Sequence, residues 1–131
     1  MIVIDTSALI AVTNHELERL QFLSIIAAAD RCVISAVTLL ETRIVTLARF
    51  GNAGTDQLAE WLASFAPDIV AFDQQQADVA LMAYRSYGRG MQSGARLNFG
   101  NCASYALARV RNLPLLYKGD DFAATDIRSA T

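Results

Sequence analysis

The feature that most constrains this chain lies at its start, where the apolar run Met1-Ile2-Val3-Ile4 is closed by a carboxylate at Asp5. A short run rich in β-branched residues, followed at once by Thr6-Ser7, reads as a buried central strand that ends where a helix begins. Arg31-Cys32-Val33-Ile34-Ser35, Ile69-Val70-Ala71-Phe72 and Leu113-Pro114-Leu115-Leu116-Tyr117 repeat the pattern as further short strands. Helical patterns fill the gaps. Thr6 to Ala11 opens the first, and Leu20, Leu23, Ile26 and Ala27 fall at helical spacing between Glu16 and Ala29. Ser35 is placed to cap a helix reaching about Arg49, with Leu40, Ile44 and Leu47 expected on its inner face. Phe50 to Gly54 reads as a helix stop and turn, after which Leu58, Trp61, Leu62 and Phe65 mark another amphipathic helix. Gln74 to Tyr87, with Ala77, Ala80, Leu81 and Tyr84 inward, and about Phe99 to Arg111 complete the set. Strands alternating with helices predict an α/β fold: one domain over residues 1–131, with a central parallel sheet of four to five short strands between helical layers.

Composition narrows the function classes. With 53% hydrophobic and 18% charged residues among 131, the chain is globular and long enough to bury a real core. No apolar run approaches the roughly 20 residues that span a bilayer, and no secretory leader is recognised, so a cytoplasmic protein without membrane association is expected. Cys32 and Cys102 do not make a disulfide framework, and both read as packed thiols. His15 is the only histidine, which leaves little support for a histidine triad or a zinc site. The net charge of −2 argues against a general nucleic-acid binder, yet no acidic residue lies between Asp78 and Asp120, while Arg85, Arg89, Arg96, Arg109, Arg111 and Lys118 do. That stretch reads equally as a solvated face and as a local attractor for a polyanion. It includes the longest irregular segment, Gly88 to Arg96, where a functional loop is expected.

In an open parallel sheet, ligands bind beyond the carboxyl ends of the strands, near the point where strand order reverses. Four polar positions share that address in this reading. Asp5 closes the first strand, Glu41 lies less than two turns into the helix after the second, Asn101 begins the helix after the basic loop, and Asp121 follows the fourth strand. Converging carboxylates repel one another unless a cation compensates. Oxygen donors without nearby histidine or thiolate point to Mg²⁺ or Mn²⁺, and such an ion supports phosphodiester hydrolysis.

The segments Val3-Ile4-Asp5-Thr6-Ser7-Ala8, Ser35-Ala36-Val37-Thr38-Leu39-Leu40-Glu41, Leu97-Asn98-Phe99-Gly100-Asn101-Cys102 and Leu115-Leu116-Tyr117-Lys118-Gly119-Asp120-Asp121-Phe122 closely resemble the PIN-domain toxins of the VapC type, in the same order and spacing from residue 1 to about residue 127. The resemblance implies a PIN-like three-layer α/β/α domain with metal-dependent endoribonuclease activity, on tRNA or rRNA. It also implies a homodimer and a cognate VapB-type antitoxin that blocks the acidic site. By the same resemblance, Asp5, Glu41 and Asp121 form the acidic set, with Asp5, Asn101 and Asp121 as the metal-binding positions. Thr6 and Ser7 order a ligand or water beside the first aspartate, Asn98 is a nearby amide, and Asp120 stands close to the site. Thr125-Asp126-Ile127 matches as structure. Arg85, Arg89 and Arg96 are the expected phosphate contacts.

One departure matters. The family pattern has aspartate where this chain has Asn101, which removes a charge and a proton acceptor, so metal affinity and hydrolysis should both fall. A natural weakened variant and an introduced change both explain it. The second function class is therefore a catalytically inactive protein that binds an antitoxin or RNA. Phosphoryl-transfer folds with a strand-closing aspartate fit poorly, because the second aspartate expected two residues after Asp5 is Ser7 here.

Overall fold

The computed structural model describes residues 1–91 and 94–131, so Gln92 and Ser93 of the glycine-rich loop lie outside the described residues. Its strands are β1 (Ile2–Ile4), β2 (Cys32–Ser35), β3 (Asp68–Val70) and β4 (Leu115–Leu116); its helices are α1 (Thr6–Thr13), α2 (Arg19–Ala28), α3 (Ala36–Phe65), α4 (Gln74–Tyr87) and α5 (Phe99–Arg111). The four strands pair in parallel in the order β3-β2-β1-β4, with Val3 opposite both Val33 and Leu115. The sheet has the lower of the two expected strand numbers among the described residues.

Side chains alternate across the pleat, and that alternation divides the core in two. Ile2, Ile4, Cys32, Ile34 and Leu116 face one side, where Leu9, Phe22, Leu58 and Leu62 cover them. Val3, Val33 and Leu115 face the other, against Leu97, Tyr105, Leu107 and Phe122. A three-layer arrangement follows, with β1 buried on both faces. From β1 the chain moves to β2 and β3 on one side and to β4 on the other, which makes the carboxyl end of β1 the reversal point.

Several helical faces differ from the sequence reading. Leu40, Ile44 and Leu47, expected inward, are 59%, 57% and 50% exposed, while Thr38, Thr42 and Thr46 fill the buried face of α3. Apolar periodicity located the stripe correctly and gave it the wrong direction, because the inner face carries threonines, of which Thr38 reaches the site through Ser104. Leu20 and Ala27 are also exposed; Ile26 is buried as expected, and Phe22, not named in the sequence reading, is the other anchor of α2. On α4, Ala77 and Leu81 face solvent while Gln76 and Ala83 are buried. The stop expected at Phe50 to Gly54 falls at Gly51, which leaves helical geometry at φ 66° and ψ −161°, a region glycine adopts without steric cost, so α3 is two helices joined across a kink. β3 and β4 are each shorter than read, and β4 gains a parallel bridge from Leu115 to Ser129.

His15 sits exposed in the turn before α2, Cys32 and Cys102 are buried, and Tyr105 is in the core, all as read. Among the described residues no helix is long and apolar enough to cross a membrane.

Candidate active site

Asp5 is the residue after β1 and the N-cap of α1, so one carboxylate ends the strand and satisfies free helix amides. It is 1% exposed. Its Oδ2 accepts from the Ser7 amide at 3.0 Å and the Ser7 hydroxyl at 2.7 Å, and its Oδ1 accepts from the Ser104 hydroxyl on α5 at 2.6 Å. Burial pushes its pKa above the ordinary aspartate value, while the Ser104 and Ser7 hydroxyls, and the Ser7 and Thr6 amides, pull it back.

Behind each hydroxyl stands a second donor. The Lys118 amide, just past β4, donates to Ser7 Oγ at 3.0 Å, which ties the exit of β4 to α1. Thr38 Oγ1 lies 3.0 Å from Ser104 Oγ, and both residues are fully buried. Ser104 gives its single proton to Asp5, so the Thr38 hydroxyl is the donor in this pair. The Lys118 ammonium, in turn, is held by Glu16 and Glu18 in the α1–α2 connection.

Glu41 projects from α3 and accepts from the hydroxyl of Thr6, the residue after Asp5, at 2.5 Å. Its carboxylate packs directly over Gly100, where a Cβ would collide with both carboxylate oxygens and their carbon. Nothing about the Gly100 backbone demands glycine. The residue is there for the space above it.

Asn98 and Asn101 open α5 as a reciprocal cap. The Asn101 amide donates to Asn98 Oδ1 at 2.9 Å, and the Asn98 amide donates to Asn101 Oδ1 at 3.0 Å. The Asn101 carbonyl oxygen, the atom that would ligate a cation, is thus already an acceptor. Asp121 is half-buried after β4 and takes the Arg96 amide on its backbone carbonyl at 3.4 Å, while Asp120 is exposed and accepts from the Ala123 amide at 3.1 Å, a turn contact. Asp126 accepts from the Tyr105 hydroxyl at 2.6 Å and pairs with Arg109 at 3.3 Å, which makes that match structural as read.

The structure therefore bonds Ser7 to Asp5 and Thr6 to Glu41, two pairs joined through adjacent residues of the chain, places Asn98 and Asn101 at the α5 start, and ties Asp121 through its backbone carbonyl. Among the described residues no group of three or more His, Cys, Asp or Glu is placed to hold a metal ion. The donors fit a hard cation in kind, being all oxygens, and are short in number with an amide at 101. Arg85, Arg89 and Arg96 are exposed around the α4–α5 connection, whereas Arg109 and Lys118 of the same basic stretch are spent in ion pairs. Sequence reasoning missed Ser104, Thr38, Gly100 and Lys118. The usable signals were a polar stripe, Thr38-Thr42-Thr46, at four-residue spacing and a serine one helical turn beyond Asn101.

A parallel sheet whose central strand ends in a buried, hydroxyl-held carboxylate, with a second carboxylate bonded to the next residue, defines an α/β domain with an acidic site at the reversal of strand order. The PIN domain family model matches residues 2–128. Ribonuclease VapC30 of Mycobacterium tuberculosis (strain ATCC 25618 / H37Rv) is 46% identical over 125 residues, 95% of each chain. Two solved structures share the fold. The M. tuberculosis toxin VapC20, described as sarcin-ricin loop cleaving, gives a TM-score of 0.76 at 18% identity, covering 97% of this chain and 96% of that one. VapBC-5 of the same organism, a member of the VapBC family of toxin–antitoxin systems, gives 0.61 at 26% identity, covering 98% and 92%. The chain belongs to the PIN domain family, among its VapC-type members.

Proposed function

We propose that this chain is a metal-dependent endoribonuclease and the toxin of a toxin–antitoxin pair, cutting RNA phosphodiester bonds at the acidic edge. The observation that carries the reading is the fully buried Asp5 carboxylate at the mouth of the central strand, with Glu41 bonded to the next residue, Thr6. A helix cap alone gains nothing from burying a charge, which costs several kcal/mol unless compensated. A site for a cation and a phosphate explains the expense.

Mg²⁺, or Mn²⁺ in its place, fits the all-oxygen donors, with Asp5, Asn101 and Asp121 as the residues that would hold it. When bound, the ion would supply charge neutralisation on the phosphate and a more acidic water. The chain's own residues do the rest. Thr6 fixes the Glu41 carboxylate as a proton acceptor, Ser7 and Ser104 hold Asp5, and Arg85, Arg89 and Arg96 engage the phosphates of structured RNA such as tRNA or rRNA.

Asn101 limits this activity. Its Oδ1 accepts the Asn98 amide and has one lone pair left for a cation, but it carries no charge, and its other terminal atom is a donor that cannot ligate. An aspartate there would keep the cap with one oxygen and offer the second to a cation. We expect Asn101→Asp to raise Mn²⁺-dependent cleavage of total tRNA, with EDTA abolishing it. If the aspartate form cuts nothing and takes up no metal in a calorimeter, the nuclease reading fails. The missing charge at Asn101 also favours the second reading, an inactive PIN-like protein that binds an antitoxin or RNA; restored cleavage in Asn101→Asp with silence in the native chain would support it.

Two surfaces support the expected partners. Leu40, Ile44, Leu47 and Phe50 make an exposed apolar stripe on α3, suited to a second copy in a homodimer. A groove of about 750 Å³ between α1, α2 and the second half of α3, lined by Val12, Leu23, Leu58 and Trp61 with Arg19 and Thr46, suits an amphipathic helix of a VapB-type antitoxin. A basic side chain of that antitoxin would reach the acidic site.

A further inference from the structure

We infer that Ser104, backed by Thr38, is a positioning residue that holds one oxygen of Asp5 and so fixes the plane of its carboxylate at the site. The inference rests on the metal-dependent reading above and adds two residues to it.

The argument is one of proton accounting. An ionised carboxylate offers about four acceptor positions, two on each oxygen. The two Ser7 bonds fill Oδ2, whereas Oδ1 takes the Ser104 hydroxyl. Each serine hydroxyl has one proton and spends it on Asp5, so each must be fed from behind. Lys118 feeds Ser7 through its amide, and Thr38 feeds Ser104 through its hydroxyl. Two directed donor chains, one from the β4 exit and one from α3 through α5, therefore clamp opposite oxygens of one carboxylate. Its plane cannot turn without breaking one of them. Ser104, Thr38 and Thr42 are all fully buried, and Thr42 itself donates to the Thr38 carbonyl at 2.8 Å, so this wall is closed to water. Removing Ser104 frees Oδ1 to swing and leaves the Thr38 hydroxyl without its acceptor.

The test is calorimetric titration of Mn²⁺ into the Asn101→Asp protein and into the same protein with Ser104→Ala, Thr38→Val, both together, and Thr38→Ser. Groups that orient a metal ligand typically cost 10–100-fold in affinity when removed, so Ser104→Ala should weaken Mn²⁺ binding by about tenfold. Thr38→Val should cost less, about threefold, because it acts only through Ser104; the double variant should be no weaker than Ser104→Ala alone. Thr38→Ser loses packing but keeps the hydroxyl, and should bind as the parent does, which separates positioning from stability if Thr38→Val folds poorly. If Ser104→Ala binds as tightly as its parent, or the two losses multiply, the inference is overturned while the metal reading stands. If the parent takes up no Mn²⁺, the metal reading fails and the inference falls with it.

Discussion

On the β1 side of the acidic edge every polar group has its direction set by another: Asp5 by Ser7 and Ser104, Glu41 by Thr6 and by the bare Cα of Gly100. On the α5–β4 side the same kinds of residues serve the backbone, with Asn98 and Asn101 closing a helix end and Asp121 held through its carbonyl. The first half is built ahead of any ligand, and the second half has its functional atoms already employed or unconstrained. Preorganised carboxylates bring the charge cost of the site forward into folding, while the other half leaves orientation to whatever binds.

That contrast can be broken most severely at Gly100. Gly100→Ala sits in the first turn of α5, where alanine is the better helix former, so the melting temperature should hold or rise. Glu41, in contrast, must swing away, and in the Asn101→Asp background cleavage should fall by about a hundredfold, in line with the loss of a positioned acid–base group. Retained cleavage would show that Glu41 does not act from its braced position. Next in size is Ser7→Ala, which strips one hydroxyl bond from a buried charge, leaves the Ser7 amide bond in place, and orphans the Lys118 amide; chemical denaturation should show a loss of about 2 kcal/mol. An effect near zero would mean the β1 side is not held together as described.

Asp5→Asn sharpens the comparison from the opposite direction. The folded-state pKa of Asp5 is raised by burial, so the native chain binds its proton at a higher pH than the unfolded chain does. Its charge therefore costs stability as pH climbs from the ordinary carboxylate range through the raised value. Asp5→Asn should then be more stable than the native chain at pH 7.5, by about 1 kcal/mol, with metal uptake lost. The advantage should vanish at pH 3 to 4, where Asp5 itself is neutral; melts at the two pH values settle the sign. A smaller effect is expected on the open side, where Arg89→Ala with Arg96→Ala should weaken RNA binding a few-fold and reduce its salt slope by about one to two. Smallest of all is Cys102, whose thiol burial raises to about 11. Alkylation of the folded protein at pH 8 should be negligible, and rapid once the chain is unfolded.

Much of the fold was legible because β1, β2 and β4 are short apolar runs whose burial leaves no choice of element. Asp5 and Glu41 were legible as positions, since a strand end and an early helix turn fix where they stand. The direction of α3 was not. Leu40, Ile44 and Leu47 look like a core face by every apolar count, and only the hydroxyl network around Ser104 reveals that Thr38 and Thr42 face inward. Gly51 was legible, in contrast, since a glycine at positive φ ends one helix and lets the next begin across a kink. Asn101 as a cap was hidden by its own neighbourhood, where the acidic-site pattern and the capping pattern overlap on Asn98-Phe99-Gly100-Asn101.

The threonine face of α3 has a consequence for how the chain finds its structure. A helix with leucine and isoleucine on one side and threonine on the other has two candidate inner faces, and oil-in-water logic selects the wrong one. Rolled by half a turn, α3 would hide its greasy side and strand Ser104 without its partner. The hydroxyl pair, worth about 1 kcal/mol, is too weak to set this roll alone against three aliphatic side chains at about 1.5–3 kcal/mol each; the roll observed leaves Leu40, Ile44 and Leu47 at the surface.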